Sequence, residues 1–203
     1  MNHVSPTTNA HAGTHPQVRH VNLMVDTIIT NVASDDIRTL VRALLTTSPA
    51  NVTDQFCSLA KAHLHHMPIP PAPGAPDLFT TDPNPAPTPA FETVLARARA
   101  RYGAGLGSSS ILVLLPIVDL AASMQWEEGS AVEDALSIVD CDIAAALLNA
   151  KEELRQQGST ADEAKDALRR LRHSLEVVEE KVEEWGGDFP FERSQDALAS
   201  MDL

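Results

Sequence analysis

Aromatic residues are scarce in this 203-residue chain, with five Phe, two Trp and one Tyr. A core with so few rings must be built from Leu, Val, Ile and Ala. That favours close-packed helices over a sheet, whose strands lean on aromatic and β-branched side chains. Cysteine is nearly absent as well. Cys57 and Cys141 could form one bridge but no disulfide framework. Long apolar runs are also missing. The best, Ile111 to Val118, contains Pro116 and is followed at once by Asp119, so no bilayer-spanning helix is expected. The first 20 residues are polar, with His3, His11, His15 and His20, and do not read as a secretory signal.

Bases are the next shortage, and they leave a formal charge of −13. Residues 1–90 hold four Lys/Arg against six Asp/Glu, whereas residues 91–203 hold 11 against 22. The negative charge therefore belongs to the second half. Such a surface repels phosphate backbones and anionic lipid, so the expectation is no direct nucleic-acid binding and no membrane association. A basic protein surface is the partner this charge suits, and the cytoplasm or nucleus is the expected setting.

What the chain does have is alanine, the best helix former, and helical periodicity. Val21, Val25, Ile28 and Val32 recur at helix spacing from about Val18, after 17 residues without a pattern. Ser34 resembles an N-cap for a stripe of Ile37, Leu40, Val41, Leu44 and Leu45. Ser48-Pro49 starts a third helix that runs to about His66. Residues 67–89 then carry nine of the 14 prolines, which predicts an extended connector or a docking strap. Further helices are predicted over Pro89–Tyr102, Ile111–Met124 (kinked or restarted at Pro116) and residues 131–157. Gly158 ends the last of these, and Ser159 and Thr160 offer capping boxes for the next.

That final long helix has the sharpest pattern. Ala161, Ala164, Leu168, Leu171, Leu175, Val178, Val182 and Trp185 alternate spacings of three and four. The short turn before it implies an antiparallel hairpin with the preceding helix. The predicted fold is all-α: a bundle of about seven helices with an antiparallel C-terminal hairpin and a Pro-rich internal connector. Its expected parts are a disordered N-terminus (1–17), a three-helix segment (18–66), the connector (67–89), a four-helix segment (90–186) and a flexible acidic and apolar tail (187–203).

No catalytic signature stands out. His63, His65 and His66 follow Cys57 without zinc-finger or zincin spacing, and cationic imidazoles suit a helix C-terminus, so no metal or cofactor is expected. Gly103, Gly105 and Gly107 precede three serines, but a nucleotide loop follows a strand, and here a helix comes first. Asp119 interrupts an apolar helix and is expected to be partly buried and paired with a base such as Arg97 or Arg101. Asp140 and Glu133 lie opposite the Val139/Ile143 stripe and are expected to be solvated.

Two function classes remain. The leading one is a non-enzymatic helical adaptor, scaffold or regulatory protein, a monomer or small homo-oligomer acting through protein–protein contacts. Its candidate surface is Glu179, Glu183, Trp185, Phe189, Phe191 and Leu198, where crowded glutamates meet an acidic, Phe-bearing tail. For that tail, folding back over the bundle is the other arrangement. The second class is a small helical-bundle enzyme or a ligand- or metal-binding protein. Its pocket would gather Gly105, Asp119, His63 and His66.

Overall fold

The structure is a computed structural model and describes residues 16–69, 71, 74–81, 84–156 and 158–201. Among these it is all-helical: α1 (Pro16–Asn31), α2 (Ser34–Thr47), α3 (Ala50–His66), α4 (Ala75–Leu78), α5 (Pro89–Gly103), α6 (Gly107–Ala121), α7 (Ala131–Leu154), α8 (Ser159–Trp185) and α9 (Glu192–Ala199). The described residues contain no strand, only an isolated bridge between Phe79 and Pro87. The chain divides into two compact units, residues 1–54 and 55–203. The disorder expected over 1–17 falls outside the described residues except for 16 and 17, which begin α1.

In the larger unit the core is built around α6. Its sequence is apolar over most of its surface, and a helix of that kind must be largely buried. It packs against α5, α7 and α8, burying Ile111, Val113, Leu114, Leu115, Ile117 and Val118. The helix begins at Gly107 rather than Ile111 and runs through Pro116 without a restart. Ser110 is buried in the first turn and donates to the Ala98 carbonyl at 2.9 Å.

The seam on α8 holds as read. Ala161, Ala164, Leu168, Leu171, Leu175, Val178 and Val182 are buried, and Trp185 at the end is partly so. Each buried Leu or Val stabilises the fold by about 1.5–3 kcal/mol. The N-cap differs from the predicted one. Gly158 precedes the helix at φ 83°, and neither Ser159 nor Thr160 caps it, because both already lie within the first turn.

Three other expectations change. The proline segment is not a bare extended connector: α4 forms within it, and Leu78 and Phe79 enter the core, Phe79 packing on Phe91 at 5.3 Å. The tail is not free. Phe191 is fully buried, α9 packs on α7, and Leu198 and Met201 are covered. A pair of Phe residues two apart reads as an exposed docking peptide only if nothing nearby can bury it. In the smaller unit, the apolar stripe of α2 is only partly covered, with Ile37, Val41 and Leu45 half-buried. Leu40 and Leu44 are exposed, as are Leu23, Ile28 and Ile29 of α1, and α2 has no buried residue.

Candidate functional site

The pocket imagined around four separated residues does not assemble. Asp119 is exposed, and Ser174 Oγ donates to it at 2.6 Å; neither Arg97 nor Arg101 pairs with it. It lies at the surface beside α8, which carries Ser174. A cavity of about 430 Å³ does lie between the end of α3 and the start of α6, lined by Lys61, His65, His66, Ser108, Ser109, Glu153 and Thr160 among others. His66 therefore takes part, while His63 and Asp119 are not in its lining. Gly105 borders Lys61: a Cβ built there would lie 4.0 Å from the Lys61 Nζ. No cluster of three or more His, Cys, Asp or Glu suited to a metal occurs among the described residues.

This cavity also explains the glycine–serine turn. An anion at the α6 N-terminus would face the amide of Ser108 and the positive dipole end. That place is already filled, because buried Glu153 accepts from the Ser108 N–H at 2.9 Å. Arg101 lies nearby, 2% exposed, donating through Nε to Ser109 Oγ at 3.0 Å and through an NH2 to the Met67 carbonyl at 3.4 Å. Burial, and then the neighbouring Arg97, lower its pKa.

Asp140 on α7, expected to be solvated, is buried instead, and so is Asp142. Asp140 accepts from the Ser194 N–H at 2.8 Å and the Arg193 N–H at 3.2 Å. It thus caps α9, which has no side-chain cap of its own. Asp142 receives Arg99 Nε at 2.9 Å and the Tyr102 hydroxyl at 3.0 Å. Arg99 has its pKa raised chiefly by that hydrogen bond. Tyr102 is raised above the usual value near 10, first by burial and then by its bond to Asp142.

A raised tyrosine favours the neutral phenol in the folded state. Its contribution to stability is complete below the ordinary tyrosine pKa of about 10 and is lost as pH rises through the higher folded value. Tyr102 is the sole tyrosine, so tyrosinate absorbance reads it alone. The native chain should titrate above the urea-unfolded chain, and Tyr102→Phe should flatten the loss of stability at alkaline pH. Coincident titration curves would exclude the buried hydrogen bond.

A second cleft is different in character. Trp126, in the α6–α7 loop, and Trp185, the last residue of α8, meet edge to face with centroids 5.1 Å apart and planes at 82°. They line a cavity of about 550 Å³ together with Asn84, Pro85, Glu127, Glu128 and Ser130 among others. A smaller recess of about 170 Å³ adjoins the same two rings and adds Glu133, Gly186, Gly187 and Asp188. The linings contain no Lys, Arg or His. Glycine shapes this corner. Gly186 ends α8 at φ 78°, and the Trp185 ring lies so close over Gly187 that a Cβ there would come within 2.0 Å of it. The Trp185 Nε1–H is buried and has no acceptor among the described residues.

The other surface candidates divide. Glu183 is exposed, but Glu179 accepts from Gln195 Nε2 at 2.8 Å and so tethers α9 to α8. Phe189 is half-buried and meets Phe191 edge to face; Phe191 and Leu198 belong to the core. Trp126 was missed by sequence reasoning. The available signal was that each of the two tryptophans adjoins a Glu-Glu pair and has glycine close by. No helix of the described residues is long and apolar enough to cross a membrane. Comparison with protein-family models, with curated proteins and with solved structures finds no match to this chain.

Proposed function

We propose that the chain is a non-enzymatic helical adaptor that receives a basic segment of another protein on the acidic face where α8 ends. The observation that carries this is the paired-tryptophan cleft, lined by Glu127, Glu128, Glu133 and Asp188 without a base. Aromatic anchors inside a charged rim are what protein interfaces use for affinity and for steering. The C-terminal end of α8 adds negative dipole charge, and exposed Glu183 lies in its last turn. A cytoplasmic or nuclear setting suits two free, exposed cysteines. The uncovered apolar residues of α1 and α2 support a small homo-oligomer over a monomer, which light scattering reads directly.

The test is affinity capture with the wild-type chain beside a Glu183→Gln/Asp188→Asn variant. Proteins held by the first and lost by the second should carry Lys/Arg-rich segments and leave the column as salt rises. An identical set on both columns would remove the basis for this reading. The cavity beside His66 supports a second reading, a small ligand-binding bundle. Metal or ligand that co-purifies stoichiometrically and is lost in His66→Ala would put that reading first.

A further inference from the structure

We infer that the Trp126–Trp185 cleft binds an alkylammonium group, the side chain of a lysine presented by a partner protein. The inference rests on the adaptor reading and names the chemistry of its anchor. Two indoles set nearly at right angles form an aromatic corner, and a cation is drawn to an indole face by the ring quadrupole. Glu127, Glu128 and Asp188 on the cavity wall are exposed and make no ion pair among the described residues, so their charge is unspent. Glu133 is committed to the Gly129 N–H. The volume of about 550 Å³ falls within the range of small-ligand sites and exceeds the needs of one lysine tip.

A second feature points to a bound chain rather than a free amine. The Trp185 Nε1–H is a buried donor without an acceptor, and leaving such a donor unmatched is costly. A peptide carbonyl can accept from it, given a small turn of the indole; a bare ammonium cannot. Neither ring is tethered by a hydrogen bond among the described residues, so a turn of the Trp185 indole breaks none. Trp185 packs against the edge of the core, over Gly187 and beside Trp126.

Both tryptophans of the chain line this cleft, so intrinsic fluorescence reports its occupancy without a label. The full chain is titrated, at constant ionic strength, with tetramethylammonium, with short peptides bearing lysine or trimethyllysine, and with the norleucine peptide as neutral control. Saturable quenching or shift is expected for tetramethylammonium on the order of millimolar, and at lower concentration for a cationic peptide. The norleucine peptide should give none. Glu127→Gln/Glu128→Gln, two exposed positions, should weaken peptide binding about tenfold while leaving the far-ultraviolet circular dichroism unchanged.

Three results would overturn the inference. Equal binding of the norleucine peptide would make the cleft merely apolar. Tetramethylammonium binding without peptide binding would assign it to a free amine. No saturable change with any cation would leave the cleft empty of this role. In that last case the capture experiment still stands on its own, since a basic partner held by Glu183 and Asp188 need not enter between the rings.

Discussion

A chain carrying Gly107→Ala should melt about 6–12 °C below the wild type, the largest effect expected from adding a single methyl group. Gly107 opens α6 directly against the backbone of α7. A Cβ at this position would lie 2.3 Å from the Ala150 nitrogen and 2.5 Å from the Ala146 carbonyl oxygen. Those are main-chain atoms inside a long helix, so no side chain can rotate out of the way. Overpacking of a tight contact costs about 1–3 kcal/mol, and this contact belongs at the upper end because the helices themselves must separate. For a unit of this size, each kcal/mol moves the midpoint by about 2–4 °C. Separation of the helices also strains the Glu153 carboxylate on the Ser108 amide, which joins the same two helices. Gly103→Ala is the control. Nothing lies within 4 Å of a Cβ there, and its φ is not in the left-handed region. It should leave the midpoint unchanged or raise it slightly. Thermal unfolding followed by circular dichroism reads both variants, and equal midpoints would mean that α6 and α7 are not in this close contact.

Gly107 shows where sequence reasoning reached its limit. In sequence it belongs to a run of three spaced glycines and reads as a turn. Whether a glycine serves φ or serves contact depends on what another helix brings opposite it, here Ala146 and Ala150, about 40 residues further along the chain. The seam of α8 is the opposite case. Its burial follows from spacing along one helix, so seven positions from Ala161 to Val182 could be assigned before any tertiary contact was known. The hairpin followed from a short turn for the same reason.

The carboxylates of α7 went unrecognised because α7 is covered on several sides, by α5, α6, α8 and α9 together. A single apolar stripe implies a solvated opposite face, and on that rule Asp140 belongs in water. The rule fails once another helix covers that face. Asp140 then meets the start of α9, and Asp142 meets Arg99 and Tyr102 of α5. Asp119 shows the reverse error. An acid in an apolar helix suggested burial, yet it lies at the surface. The candidate cleft was half legible: Trp185 was marked by the glutamates before it, but Trp126 is 59 positions earlier and no local pattern joins the two.

Phe191→Ala should lower the unfolding free energy by about 3–5 kcal/mol, the ordinary cost of emptying a fully buried Phe site. The size of the effect depends on whether the tail melts with the body. Three features argue that it does. Phe191 is part of the same buried cluster as Leu136 and Val182, so its cavity would open into the main core. Asp140 satisfies the first amides of α9 from within α7, and its burial makes undocking costly because the carboxylate would lose both partners. Glu179 holds Gln195 from the α8 side, giving the tail a second attachment. Phe189→Ala, at a half-buried position, should cost far less. Urea unfolding separates the possibilities. A shifted midpoint with an unchanged slope would place Phe191 in one cooperative unit with α6–α8. A small early transition, with the main midpoint unmoved, would mean that residues 188–201 dock as a separate, weakly held flap, and the acidic cleft beside them would then be open to remodelling by whatever binds it.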